Sequence, residues 1–189
     1  MPADGQGAQY ANIEGILPTY SAVAAAYSPY ATATDMVVLQ NPATSTTMLR
    51  VTSVRIIGDA TAAALMDIYA QIRTALNTGG TSAGITAAKH DSNDAAPVGS
   101  ALTYSAAPTL NGTAANVRVG RLELPSISAP AITEVELVWD FGVRGGSKAI
   151  HVRPGQQLSI NNNGAAVATG TVLHVNIEWN ETPGYASAQ

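Results

Sequence analysis

The chain has 189 residues and a net charge of −4 at pH 7, and its 12% of charged residues is about half the share of roughly 25% found in ordinary soluble domains. It contains no cysteine, which excludes a disulfide framework and any thiolate metal site. The net negative charge does not favour binding to nucleic acid, and no apolar run approaches the roughly 18 residues of a membrane span. Neither nucleic acid nor a membrane is therefore an expected partner.

Length and composition predict one domain whose surface is poor in charge without being strongly apolar, since the mean hydropathy is +0.10. Such a surface suits a protein that is packed against neighbouring molecules. A thermally robust, alanine-rich secreted protein is the alternative. The opening ten residues lack the basic region and apolar core of a signal peptide, so no targeting signal is expected.

Residues 1–34 are predicted to form an extended N-terminal arm, because they show little strand alternation and three prolines interrupt them. Fixing the backbone of such a segment costs on the order of 50 kcal/mol, at about 1–2 kcal/mol for each residue. Burying a tyrosine offsets only about 5 kcal/mol of this cost. The arm is therefore expected to become ordered only when its backbone also finds partners, by strand addition or by docking on other subunits.

Four of the seven tyrosines lie in this arm, and tyrosine is a large interface anchor with few rotatable bonds and a polar tip. The predicted interface residues are Tyr10, Tyr20, Tyr27 and Tyr30. Fully extended, the arm could reach about 110 Å, enough to cross a neighbouring subunit. In the alternative interpretation, the tyrosines pack against the chain's own body.

Residues 35–182 are predicted to form the folded body, and most of its segments have the pattern of strands. Short β-branched runs that end at turn residues begin at Asp35, and the last run alternates strictly from Leu173 to Trp179. Residues 59–76 fit both a helix and a strand, because apolar side chains recur at both spacings. The neighbouring strands favour a strand here, with a helix as the alternative.

The segment 77–111 is long and rich in turn residues, and loops of this length usually make contacts or carry function. Within it, "LTYSA" is expected to form a brief strand. About eight strands without a convincing long helix predict an all-β fold, an antiparallel jelly-roll β-sandwich. Residues 183–189 are expected to form a flexible C-terminal tail.

No catalytic constellation is found. Ser82 lies in a "GTSAG" match to the nucleophile-elbow motif, but that serine must sit on a turn between a strand and a helix, and the following residues have the pattern of a loop. The three histidines, His90, His151 and His174, lack the close pair that a cupin-type metal enzyme needs. The chain is therefore not expected to be an enzyme or to hold a cofactor or metal. A cupin-like enzyme is the weakest alternative.

Two further patterns have structural explanations. Asp91 and Asp94 have near-calcium spacing, but the glycine and distal glutamate of an EF-hand are absent, which favours a solvated polar turn. Trp139 and Trp179 lie on the apolar faces of their predicted strands. They are therefore expected to anchor the core rather than to stack against a sugar.

Several phrases of the sequence resemble those of small structural proteins of tailed bacteriophages, the head cement or decoration proteins. They are "RTALNTGGTSAGITAAKHDSNDAAP", "YSAAPTL", "VWDFG" and the closing "RPGQQLSINNNG…GTVLHVNIEWNE". The resemblance runs from about Asp35 to Glu181 and rests on the order and style of these phrases rather than on a catalytic motif.

The resemblance implies a jelly-roll sandwich on the outside of a phage capsid, present as clustered copies, often trimers, that clamp neighbouring major-capsid subunits against internal DNA pressure. The expected partners are the major capsid protein and further copies of the chain, and the expected location is the capsid surface of a virion. The family has no catalytic residues to transfer. A phage tail or baseplate component, or a receptor- or carbohydrate-binding module, is the alternative.

Overall fold

The computed structural model describes residues 17–128, 135–142 and 148–182. Within them every regular element is a β-strand, as the sequence predicted. The strands are β1 (Thr19–Tyr27), β2 (Asp35–Gln40), β3 (Met48–Asp59), β4 (Ala64–Arg73), β5 (Thr81–Ile85), β6 (Ala87–Lys89), β7 (Ser100–Ala106), β8 (Ala114–Leu124), β9 (Leu137–Asp140), β10 (Ile150–Val152), β11 (Gln157–Asn161) and β12 (Val172–Thr182).

These strands form two antiparallel six-stranded sheets. Sheet A has the order β10-β3-β12-β1-β6, with β9 pairing to the same strand β3. Sheet B has the order β5-β7-β2-β11-β4-β8. The predicted all-β, antiparallel sandwich is confirmed, whereas this strand order does not confirm the jelly-roll topology. The expected count of about eight strands is too low, because β1, β5 and β6, which consist largely of small residues, were not recognised.

The hydrophobic core lies between the two sheets, since alternate side chains of each strand point inward. In β12 the buried side chains run from Leu173 to Trp179 at every second position, as predicted, and each stabilises the fold by roughly 2–3 kcal/mol. In β4 the buried apolar side chains are Met66, Ile68 and Ala70, and Gln71 and Arg73 are buried on the opposite face. This strand pairs with β8 and β11, which decides the ambiguous segment 59–76 in favour of a strand.

The structure corrects the prediction of an arm over residues 1–34. Residues 19–27 form β1, which pairs with β12 from Thr19 to Tyr27 and with β6 from Tyr20 to Ala22. A bulge at Ala25 and Ala26 breaks the alternation before Tyr27, and Ala26 has a positive φ of 50°. Alanines and this bulge hide the strand pattern in the sequence. Residues 1–16 and the predicted tail 183–189 lie outside the described residues.

The segment 77–111 contains three strands, β5, β6 and β7, where the sequence predicted one brief strand at "LTYSA". That strand is confirmed as part of β7. The alanine, glycine and serine of β5 have low strand propensity, so pairing with β7 rather than local preference makes this segment extended.

Two connections cross the outer face of sheet B as a diagonal strap, formed by residues 74–80 and 107–113. The ladders place the last residue of β4 at the same end of the sheet as the last residue of β2, with β11 between them. Strand β5 begins at the other end of the sheet, opposite the last residue of β7. The chain between β4 and β5 must therefore cross β11 and β2. Residues 107–113 make the reverse crossing, and the two segments meet in an antiparallel bridge between Thr78 and Thr109.

Candidate functional site

Two of the four tyrosines predicted as interface residues are buried in the chain's own core. The rings of Tyr20 and Trp179 pack with their centroids 5.7 Å apart, and the hydroxyl of Tyr20 donates to the carbonyl of Ala95. The hydroxyl of Tyr27 donates to the carbonyl of Tyr104 over 2.7 Å. Burial is the main cause that raises the pKa of both phenols above its usual value. These side chains hold β1 on the sandwich.

The placement of Tyr20 and Tyr27 corresponds to the alternative in which the tyrosines pack on the chain's own body. It corrects the prediction that these two tyrosines of β1 contact another subunit, because both side chains are buried within the chain. Tyr30 is half-buried, and its hydroxyl accepts a hydrogen bond from the backbone N–H of Thr34. Tyr10 lies outside the described residues. An interface role for Tyr10 and Tyr30 stays a prediction.

The histidines considered as a metal pair lie far apart on sheet A. His151 pairs with Arg50 of β3, and His174 pairs with Ile57 of the same strand. At about 3.3 Å for each residue of β3, the two histidines are separated by roughly 20 Å. His174 is exposed, as its alternation predicted, and its Nδ1 accepts the backbone N–H of Ala26 over 3.3 Å. Among the described residues, no group of three or more histidine and acidic side chains could hold a metal ion.

The serine and the acidic turn that the sequence singled out have structural roles. Ser82 lies in the edge strand β5 rather than on a turn between a strand and a helix. The carboxylate of Asp91 accepts the backbone N–H of Asn93 over 2.9 Å, and the ammonium of Lys89 donates to the carbonyl of Asp94. These contacts are those of a solvated polar turn.

A buried polar cluster lies beneath the diagonal strap. The carboxylate of Asp35 is fully buried and accepts two hydrogen bonds from Arg73, at 2.6 Å from Nε and 3.0 Å from Nη2. Four neutral side chains also donate to it, namely Asn77, Gln157, Ser159 and Asn161. Because Asn77 belongs to the strap and the others to sheet B, the Asp35 carboxylate ties the strap to the sheet.

A second buried carboxylate, Glu181, holds the segment before β7. It accepts the backbone N–H groups of Val98 and Gly99 and the indole N–H of Trp179, at distances between 2.9 and 3.1 Å. The sequence interpretation missed both carboxylates. A signal was present for Asp35, which directly precedes the apolar run "MVVL".

An unpaired strand edge is exposed where β1 continues past β6. The N–H of His90, directly after β6, donates to the carbonyl of Thr19. The backbone groups of Thr19 therefore point toward β6 and away from β12. Because these groups alternate along a strand, those of Val23 also point away from β12, and the bulge at Ala25 and Ala26 interrupts the alternation beyond it. The short strand β6 pairs only as far as Ala22. In the described part of the chain, no strand pairs with this side of residues 23–27.

The sheet face opposite this free edge is also incomplete. Thr103 pairs with Val37, a core residue, and Ala83 pairs with Thr103, so all three side chains are on the inner face of sheet B. Ala83 and Ser105 are nevertheless exposed. Among the described residues, sheet A therefore does not cover the inner face at this end of β5 and β7, whereas Ala101 and Ile85 on the same face pack against the core.

Between the free edge of β1 and this uncovered face lies an open cavity of about 580 Å³, which we call the edge groove. It is lined by small or uncharged side chains, among them Val23, which is 52% exposed. A second exposed apolar surface, at Leu65 and Val119, differs because the ion pair between Asp67 and Arg121 lies within it. The edge groove is the candidate functional site.

Comparison of the chain with protein-family models, with curated proteins and with solved structures finds no match in any of the three. Within residues 17–128, 135–142 and 148–182, no helix could cross a membrane.

Proposed function

We propose that the chain is a structural virion protein that binds the outside of a phage capsid and clamps neighbouring major-capsid subunits. In this proposal it acts as a cement or decoration protein, with copies associated as trimers. The proposed location in a virion comes from the resemblance of several stretches of the sequence to phage head proteins. The observation that carries the binding role is the edge groove, where an unpaired strand lies beside an uncovered face of the core.

An incomplete sheet of this kind favours a protein that is completed by a neighbour. Free strand edges offer backbone donors and acceptors to any extended chain, and monomeric proteins normally protect them with charged residues, prolines, bulges or covering loops. Here a bulge at Ala25 and Ala26 limits the free edge to the residues just beyond Ala22. No charged residue lines the edge groove. Its surface therefore suits a permanent contact with another protein.

The buried carboxylates support a structural rather than a catalytic role. The oxygens of Asp35 accept six side-chain hydrogen bonds, and Glu181 accepts donors from two segments of the chain. Carboxylates held in this way stabilise the fold. Trp139 and Trp179 are buried in the core, so they do not supply the exposed aromatic platform of a carbohydrate-binding module.

Co-sedimentation with phage heads tests the proposal. The purified chain is mixed with expanded heads that lack it, taken from the phage whose genome encodes it, and with unexpanded proheads as the control. We expect the chain to pellet with expanded heads to a saturating copy number and to raise the temperature at which the heads break open. A chain that stays in the supernatant at micromolar concentration contradicts the proposed function.

A further inference from the structure

We propose that protonation of His174 releases the bulge of β1, so that one wall of the edge groove changes its conformation with pH. The bulge is formed by Ala25 and Ala26, and both residues line the edge groove. This inference goes beyond the proposed function and does not depend on it, because it concerns a conformational change within the chain itself.

The imidazole of His174 supplies an acceptor for the backbone of the bulge. A bulge leaves its extra residue unpaired in the ladder of the two strands. The backbone N–H of Ala26 donates instead to Nδ1 of His174, over 3.3 Å. An imidazole nitrogen accepts a hydrogen bond only while it carries no proton. The contact therefore requires the neutral ring with its proton on Nε2, and a protonated ring cannot form it.

The backbone conformation of Ala26 is itself unfavourable. Its φ of 50° lies in the left-handed region, which an L-alanine adopts only at a cost in free energy. This cost and the contribution of a single hydrogen bond are of similar size. Loss of the contact with His174 is therefore sufficient to shift Ala26 toward a conformation with negative φ.

Pairing on both sides of the bulge confines this change. Ala24 pairs with Val175 of β12 before the bulge, and Tyr27 pairs with Leu173 after it. The hydroxyl of Tyr27 also donates to the carbonyl of Tyr104 in sheet B. The residues between the two pairs can therefore change their conformation while β1 stays in sheet A.

The charged groups on this face of sheet A do not oppose a positive ring. Arg55, Glu136 and His174 line a shared cavity of about 260 Å³. Because His174 pairs with Ile57, Asp59 of the same strand lies diagonally across from the ring. The charged side chains of this face are Arg55 and Asp59 of β3, Glu136 before β9 and, farther along, Asp140 of β9 and Glu178 of β12. Strand β1 contributes none, so carboxylates outnumber the single guanidinium.

The pH dependence of NMR resonances tests the proposal. Imidazoles generally gain a proton between about pH 8 and pH 5. We expect the amide and Cβ resonances of Ala26 to shift over this range, with the same midpoint as the ring resonances of His174. Hydrogen exchange of the Ala26 amide, corrected for the intrinsic effect of pH, should become about fivefold faster. The amides of Ala24 and Val175 are internal controls and should not change.

Two substitutions separate His174 from the other histidines. In His174→Gln the new side chain can accept the N–H of Ala26 but does not titrate, so the Ala26 resonances should no longer depend on pH in this range. The matched control is His90→Gln, in which Ala26 should titrate as in the wild-type chain. A titration of Ala26 that persists in His174→Gln overturns the proposal, because another group would then cause it.

The ring nitrogens of His174 provide a measurement that needs no variant. At pH 8 we expect Nδ1 to be the unprotonated nitrogen, as read from its chemical shift. A protonated Nδ1 at this pH overturns the proposal. A Cβ resonance of Ala26 that stays constant while the ring titrates also overturns it, and so does general unfolding at pH 5, since the change would then not be confined to the bulge.

Discussion

The outer face of sheet A and the part of the outer face of sheet B beneath the strap are built in opposite ways. On sheet A, the outer face carries charged groups in contact with solvent, including the ion pair between Arg55 and Glu136 and the exposed side chains of Asp140 and His174. On sheet B, the diagonal strap covers only part of the outer face, and the ion pair between Asp35 and Arg73 is buried there among neutral amides and a hydroxyl. Outside the strap, the same face carries the exposed ion pair between Asp67 and Arg121.

This difference shows where a charge can contribute to folding. The pairs Asp35–Arg73 and Asp67–Arg121 have the same residue types and the same two-point geometry, with shortest contacts of 2.6 and 2.7 Å. Only the first is removed from water. Solvent screens the exposed pair, whereas the buried carboxylate must keep every donor because an unpaired buried charge is costly.

The largest expected effect comes from Asp35→Asn. This change leaves the Arg73 guanidinium buried without its counter-charge and should lower the free energy of unfolding by about 3–5 kcal/mol. Urea denaturation followed by tryptophan fluorescence measures it. The matched control is Asp67→Asn, which removes the same type of partner on the surface and should leave the midpoint unchanged. Equal effects of the two substitutions would contradict the distinction between the buried and the exposed pair.

A smaller effect is expected from Gly80→Ala in the strap. Gly80 has a positive φ of 71°, and a Cβ there would lie 2.9 Å from both the carbonyl oxygen of Ala106 and the Cα of Pro108. The strain should cost about 1–3 kcal/mol. The control is Gly84→Ala, where a Cβ has open space within 4 Å, and this change should be neutral or slightly stabilising. A neutral Gly80→Ala would show that the strap adapts without loss.

The smallest expected effect is the pH dependence from the outer face of sheet A. Partial burial, with help from Arg50, Lys148 and Arg153, lowers the pKa of His151 below its usual value. The folded chain therefore favours the neutral imidazole, and this contribution to stability is present above pH 6.5 and is lost as the pH falls through the lowered pKa. Thermal midpoints measured from pH 8 to pH 5 should fall less in His151→Gln than in the wild-type chain. Parallel curves would contradict this assignment.

The sequence predicted which side chains of a strand are buried better than it predicted the number of strands. The alternation in β12 gave the correct buried face, and both tryptophans were correctly placed in the core. In β4 the apolar face is buried, but Gln71 and Arg73 on its polar face are buried as well. The strand β1 was missed because alanines and a bulge weaken its alternation, and β5 was missed because its small residues have little strand preference. In both segments the pairing with a distant strand supplies what local propensity lacks.

The candidate site was harder to predict from the sequence than the fold was. The tyrosine cluster singled out residues 1–34, yet Tyr20 and Tyr27 are core residues, and the exposed feature of the same segment is the strand edge at Val23, beyond the end of the pairing with β6. A free edge has no side-chain signature. It depends on where β6 stops pairing and on how far sheet B extends beyond sheet A.

By itself, the sequence determined that this chain is an all-β protein with a weakly charged surface and two buried tryptophans, because alternation and composition are local properties that each strand expresses separately. Only the tertiary structure decided that Asp35 joins the strap to sheet B and that, among the described residues, β6 pairs with β1 only as far as Ala22. These features depend on residues 38 to 126 positions apart, as in the contacts of Asp35 with Arg73 and Asn161. Such contacts form only after strand pairing has fixed the register of both sheets.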